Sequence, residues 1–409
     1  MSARSESSYR RAEAGRVAAA VVLGLALLAA SWALLHVGFY ERYQIVDTPV
    51  YQSYGDAMTR GEIAYRDFDL EYPPAALPVF LVPSLGEQAD YRAIFELLMW
   101  ACATAIVALV ALTLNAAGAR SARLFGAVAF AGLAPLALGS IVLSRYDLWP
   151  AALTAAGLAA LVAGRPRLGL AALGAAAAAK VYPLVLLPVA IAWVWRRRGR
   201  DEALASIGAF VAVLALALVP FAVLAPVGLA DSIGGHLSRP LQIESLGAAV
   251  LLAAHQLGVY DPTVVSTSGS QNLAGALPDA LATVQSVLQM LALAAVWALF
   301  ARGKQTTETL LLGSAAALVV FVAFGKVLSP QFLIWLVPVV PLVAGGTGAA
   351  AAALLAAALV VTQLWFPYRY WDVVGLSASG WLVLVRDLLL VALALLLVTR
   401  MGFARPRSS

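Results

Sequence analysis

Apolar runs near 20 residues long recur along the chain, and the first, VAAAVVLGLALLAASWALLHVGF at residues 17–39, carries no Asp, Glu, Lys or Arg. At about 1.5 Å per helical residue such a run crosses the roughly 30 Å hydrocarbon core of a bilayer. Backbone polar groups find no water there, so an apolar run of this length must satisfy them within itself, as a helix. Spans are expected at residues 17–39, 91–114, 124–143, 149–164, 204–226, 281–301, 309–326, 331–344, 348–366 and 380–399. The fold class is therefore all-α, a polytopic helical membrane protein with about 10 full spans. With 62% hydrophobic and 12% charged residues, a soluble domain is excluded.

The net charge of +5 comes from where the basic residues sit. Arg4, Arg10, Arg11 and Arg16 precede the first span. Later clusters are Arg120/Arg123, Arg165/Arg167, RRRGR at 196–200, Arg302/Lys304 and Arg400, Arg405 and Arg407. Placing them all on the cytoplasmic side leaves most carboxylates outside, which puts both termini in the cytoplasm. Topology thus accounts for the positive charge, and no nucleic-acid partner is needed. The first run is long and lacks a small-x-small cleavage site, so it reads as a retained span. Cys102 is the single cysteine and lies in an apolar run, which rules out a disulfide framework and a cysteine metal site.

One segment cannot be a simple span. RPR at 165–167 and RRRGR at 196–200 both belong inside, so the apolar stretch between them enters and returns. Each leg of about 12 residues covers only about 18 Å. The turn at AKVYP then stops within the membrane, where irregular backbone survives only beside a polar cavity or packed protein. Lys180 sits at that turn. An ionisable residue there needs a cavity or a partner, with snorkelling to an interface as the alternative.

The chain reads as a single membrane domain, 1–409, with a first external loop at residues 40–90, a second at 227–280 and a shorter one at 367–379. In the first, DTPVYQSYGDAM predicts a helix start with Thr48 as N-cap and Pro49 at the first helical position. Tyr51, Tyr54 and Met58 then share one face. The Asp47 carboxylate is left outside with no local partner, and Asp56 follows nine residues later. Arg66, Asp67, Asp69 and Glu71 read as a solvated face or local ion pairs ahead of the double proline at 73–74, with Tyr65 and Tyr72 as interfacial anchors.

Elsewhere, SRYDLWP at 144–150 holds Arg145 and Asp147 in a tight turn, either as a pair or with Arg145 facing an anion. GGHLSRPLQIES offers His236 and Arg239 as an anion-binding pair, with Glu244 nearby. Lys326 lies at a span end, where anchoring is equally plausible. WFPYRYWD, with Tyr368, Arg369 and Asp372, reads as an interfacial belt or a sugar-stacking surface. The external carboxylates and three histidines form no set at metal-ligand spacing. There is no Gly-Lys-Ser/Thr phosphate loop and no HExxH, so any donor group comes from the lipid phase or the outside.

In VDTPVYQSYGDAMTRGEIAYRDFDLEYPP, SRYDLWPAAL, AKVYPLVLLP, HLSRPLQIES and KVLSPQFLIWLVP the chain resembles the GT-C class of polytopic glycosyltransferases, most closely the family 87 membrane mannosyltransferases of actinobacterial type. The resemblance implies an enzyme that passes a sugar from a polyprenyl-phosphate carrier to a hydroxyl of a lipid or glycan acceptor at the outer face, with inversion and no other cofactor. It places the catalytic carboxylate on Asp47, with Asp56 as the alternative base. Lys180, Arg145, His236, Arg239 and Lys326 become candidates for the donor phosphate. Tyr51, Tyr72, Glu244, Tyr368 and Arg369 become candidates for the sugar or acceptor. Mannose follows the family, while the motifs themselves admit arabinose, glucose or another lipid-linked sugar. A transporter or flippase of lipid-linked sugars would also use buried lysines and broken helices. A non-catalytic scaffold would instead pair its external charges locally.

Overall fold

The computed structural model describes residues 3–403; the side chains of residues 3–11, 236, 237 and 403 lie outside that description. Among the described residues seven helices are long and apolar enough to cross a membrane: Ala12–Leu34, Gln88–Ala116, Ser121–Leu138, Arg200–Leu224, Ala276–Arg302, Gly345–Trp365 and Gly380–Gly402. They fall on seven of the expected spans, and the chain is a multi-pass helical membrane protein. The Arg200–Leu224 helix buries only Ala203, Ser206 and Phe210 against the protein, leaving apolar surface on nearly every side, as suits a helix standing in lipid.

The other three expected spans are shorter. Leu148–Val162 has 15 residues and Thr307–Ala323 has 17, roughly 22 and 25 Å of helix. The stretch expected to span at 331–344 is not one helix. It is cut into Pro330–Phe332, Leu333–Leu336 and Val340–Leu342. Pro330, Pro338 and Pro341 each lack an N–H and crowd the carbonyl four residues back, so no α-helix runs through them.

The in-and-out segment is present as two helices, Pro166–Ala179 and Leu187–Arg198, joined by a 3-10 turn at Tyr182–Leu186. Pro183 dictates where the first one stops. A proline ring clashes with the carbonyl of residue i−4, here Ala179, so the helix must end there. Lys180 accordingly adopts an extended backbone, φ −160 and ψ 140. The stranded Ala179 carbonyl accepts a hydrogen bond from the Tyr146 hydroxyl at 3.2 Å.

The Leu148–Val162 and Pro166–Ala179 helices form an antiparallel hairpin. Gly157 and Gly169 set its register: a Cβ on either would lie about 3 Å from the other's carbonyl oxygen, so the two backbones touch there. Stepping ten residues back from Gly157 and eleven on from Gly169 arrives at Asp147 and Lys180. The hairpin therefore brings the two charges to the same end.

The segments at residues 40–90 and 227–280 fold over that end. Residues 40–90 carry the Thr48–Thr59 helix and a run of short turns from Pro74 to Leu85. The second loop is not purely helical. Besides its helices, Pro226–Ser238 and Leu246–Gln256, it carries a three-stranded antiparallel sheet, with Leu241–Gln242 between the two helices and the other strands after them; Ser270–Ala274 lies between Leu241–Gln242 and Thr263–Thr267. The hairpin turns through Ser268 and Gly269 at φ 51 and 66, the pair of positive angles a two-residue turn needs to match strand twist. Gly228 packs so closely on the Tyr65 carbonyl that a Cβ has no room, which locks the second loop onto the first.

Candidate active site

Lys180 is the centre of the arrangement. Its Nζ donates to Asp147 Oδ1 at 2.6 Å, and the same oxygen accepts from Trp335 Nε1 at 2.6 Å. Asp147 is fully buried. The ammonium also lies over the rings of Tyr146 at 4.6 Å, Trp335 at 5.3 Å, Phe332 at 5.8 Å and Tyr72 at 6.0 Å. Phe332 and Tyr182 stack on the two faces of Trp335, with centroids 4.1 and 4.2 Å away. The aromatic cage and the buried carboxylate give the lysine its partners inside the protein. Snorkelling does not describe it.

Asp47 comes to the same place by another route. The helix expected from Thr48-Pro49 begins one residue earlier: Asp47 occupies the capping position and Thr48 the first helical one. Proline is tolerated at the second position too, because first-turn N–H groups have no helical acceptor anyway. The Asp47 carboxylate makes no cap hydrogen bond. It forms an ion pair with Arg145 and faces the Tyr51 hydroxyl at 3.5 Å. Arg145 and Asp147 thus do not pair with each other; one takes Asp47 and the other takes Lys180. Tyr51, fully buried, touches the rings of Tyr72 and Tyr146, so Asp47 and Lys180 share one aromatic wall.

Asp56 points elsewhere. Nine residues along a helix are two and a half turns and a rise of roughly 13.5 Å, which puts it on the opposite face from Asp47. There it accepts from Ser84 Oγ at 2.9 Å.

The remaining candidates divide. Arg239 donates to the Ser268 carbonyl at 2.6 Å and lies 3.6 Å from Glu71, and its charge acts on Lys180 together with that of Arg145. Lys326 presents its carbonyl to the Gln242 N–H at 3.0 Å, at the root of the turn that carries Glu244. Glu244 is buried, accepts from the Gln242 side chain, and lies within the fields of Arg386 and Arg145. Burial pushes its carboxyl up to about 8, against the pull of those two cations. Tyr368 and Arg369 sit outside this group, exposed. Tyr368 packs on Tyr43 and Phe39 with Arg369 over its ring; Tyr370, two residues from Tyr368, is buried and is the one near Arg145 and Glu244. Arg66 and Asp67 form an exposed local pair at 2.8 Å. The His236 side chain lies outside the described residues.

Sequence reasoning passed over three participants. Trp335 was hidden within an apolar run that looked like a span. Arg386 and Asp387 are adjacent charges inside the Gly380–Phe403 helix, both buried and bonded to each other at 2.6 Å. The signal was there in WLVLVRDLLL, since intramembrane charge is costly unless it serves a cavity or partner.

Chemically, this end of the molecule offers a half-buried carboxylate, Asp47, paired with Arg145, with Lys180 on the same wall of tyrosines. A carboxylate can take a proton from a hydroxyl as that oxygen becomes a nucleophile. Cations fixed in a dry setting can hold a phosphate and stabilise the charge that grows on it when it departs.

Comparison with known proteins agrees on the family. No curated protein matches the chain. A solved structure, described as the crystal structure of ArnT from Cupriavidus metallidurans bound to undecaprenyl phosphate, aligns with 15% identity and a TM-score of 0.49. The alignment covers 93% of this chain and 78% of that one, a likeness too loose to carry a functional comparison. The family model for glycosyltransferase family 87 matches residues 70–330, well over half of the chain, beginning after Asp47 and including Arg145, Asp147, Lys180, Arg239 and Glu244. The chain is a member of glycosyltransferase family 87.

Proposed function

We propose that this protein transfers a sugar, mannose by the resemblance, from a polyprenyl-phosphate carrier to a hydroxyl of a lipid or glycan acceptor at the outer membrane face. The cytoplasmic placement of both termini belongs to the same reading. The observation that carries it is the meeting of Asp47 with Arg145 beside the caged Lys180. A transporter of lipid-linked sugars needs the cations but not a carboxylate held among them at the mouth of an external loop.

The donor phosphate takes Lys180, Arg145 and Arg239 as its cationic partners, while the carrier's hydrocarbon chain lies in lipid between spans. Arg145 then has two claimants. As the phosphate draws it off, the Asp47 carboxylate is released toward the acceptor. The acceptor oxygen attacks the anomeric carbon from the face opposite the phosphate, and the carbon–oxygen bond to the carrier breaks. Its electron pair leaves with polyprenyl phosphate, and the hydroxyl proton passes to Asp47. The configuration inverts in this single displacement.

The test is transfer of radiolabel from a panel of polyprenyl-phosphate sugars to membrane lipids, with Asp47→Asn beside wild type. Transfer from one donor, lowered about 10²- to 10⁴-fold in the variant, supports the assignment. Undiminished transfer by Asp47→Asn removes it as the base, and silence of the wild type across the panel favours transport.

A further inference from the structure

Arg386 and Asp387 take no part in the chemistry above, yet both are as fully buried as Asp147. Both are buried within the Gly380–Phe403 helix. The Arg386 guanidinium donates from Nε to Asp387 Oδ1 and from Nη2 to the Glu244 carbonyl, each at 2.6 Å, and lies 5.4 Å over the Trp365 ring. Its Nη1 and Asp387 Oδ2 have no partner.

Isolated burial of this kind is expensive, and an apolar pair of similar shape would pack at least as well. What the guanidinium does is reach out of its own helix and hold a loop. The Gln242–Ser245 turn is also fastened by backbone bonds, the N–H of Gln242 to Lys326, of Ile243 to Gln271 and of Ser245 to Gln242, and by the Gln242 side chain, which donates to the Glu244 carboxylate. Glu244 hangs from that turn, within the electrostatic reach of both Arg386 and Arg145. Arg145 in turn holds Asp47.

We infer that Arg386, steadied by Asp387, is a positioning residue for transfer: it fixes the Glu244 turn from within the membrane domain and thereby sets where the Glu244 carboxyl stands. This rests on the glycosyltransferase reading. The charged and titratable groups around Glu244 are Arg386 and Asp387 on the last helix, Arg145 on the turn before Leu148, and Tyr370.

The experiment compares wild type with Arg386→Met, Arg386→Lys and the double variant Arg386→Met/Asp387→Leu in detergent, by thermal melting, hydrogen exchange of residues 242–249, and transfer kinetics against pH. The double variant strands no buried charge and keeps the test decisive if the single change does not fold. In a folded variant lacking the guanidinium, the amides of Ile243 and Ser245 exchange faster. Transfer falls about 100-fold, mostly in kcat, as expected when a reacting group is displaced by an ångström or so. Arg386→Lys restores part of it. The pH profile moves alkaline, because the strongest charge lowering the Glu244 ionisation has gone; a merely structural residue would leave the profile in place. Wild-type exchange in the folded double variant overturns the inference, as does faster exchange with undiminished transfer. If the wild type transfers no sugar from any lipid-linked donor, the functional reading fails instead. The exchange measurement, which needs no turnover, still decides whether Arg386 holds the turn.

Discussion

Asp147 and Lys180 meet at 2.6 Å although 33 residues separate them, because a glycine-registered helix hairpin returns the chain to its starting level. The pair is buried on the carboxylate side and caged by rings on the other. Asp147→Asn leaves the ammonium with no counter-ion and is expected to cost about 3–5 kcal/mol of stability, read as a lower melting temperature. Asp147→Leu combined with Lys180→Met removes both charges and recovers most of that stability. Transfer does not return with it, since the donor phosphate has lost a cation. Recovery of transfer in the double variant would show that Lys180 is structural.

Arg145 pairs with the Asp47 carboxylate and in the proposed mechanism also takes the donor phosphate, so its loss has two effects of opposite sign. Arg145→Met frees Asp47, which favours proton uptake, but deprives the donor of a partly desolvated cation. The second effect dominates, because removing one member of such a pair typically costs upward of 2 kcal/mol. Donor kcat/KM is expected to fall by about 30-fold or more, measured at fixed acceptor with lipid-linked donor varied. Arg145→Lys keeps the charge but not the fork, and recovers only part.

Glu244 gives stability a pH signature. Its folded carboxyl ionises near 8 against an ordinary value of 4.5, so the folded state holds its proton more tightly than the unfolded state. The corresponding stability is complete below the ordinary glutamate value and is lost as pH rises through about 8. Wild-type melting temperature is therefore expected to decline between those limits. Glu244→Gln, which imitates the protonated side chain, removes that part of the decline. A parallel decline in the variant would assign the effect to another group.

How much of this was readable beforehand differs by residue. The spans follow from apolar length alone, and the in-and-out segment from charge on both its flanks. Asp47 could be singled out because a Thr-Pro helix start leaves it without a local role, although the capping position itself fell one residue away. Partner choice was not legible. Arg145 and Asp147 are two residues apart in sequence and read either as a mutual pair or with Arg145 facing an anion, but their partners come from the first loop and from a helix hairpin whose register depends on Gly157 meeting Gly169. That is a tertiary fact. The prolines at 330, 338 and 341 did carry a local warning against a full span at 331–344. The Ser268-Gly269 turn was also available between residues of strand type, and its carbonyl is what Arg239 reaches. Hydropathy weighs a window and is blind to both.

Pro183 offers the most local test of the site. Its ring ends the Pro166–Ala179 helix and leaves the Ala179 carbonyl to Tyr146. With Pro183→Ala, the residue 183 N–H can bond that carbonyl and the helix can run on through Lys180. Lys180 would then turn about 100° per residue with the helix and leave Asp147. Helix continuation is locally favourable, since alanine is better than proline in a helix interior by about 3 kcal/mol. The buried Asp147 loses its counter-ion in the process, which offsets that gain, so the expected result is no rise in melting temperature and transfer reduced on the order of 100-fold. Pro188→Ala is the control: Pro188 opens the Leu187–Arg198 helix, where proline is tolerated and nothing in the Lys180 cage depends on it. Equal transfer by both variants and wild type would mean that the break at Lys180 does not position the lysine for catalysis.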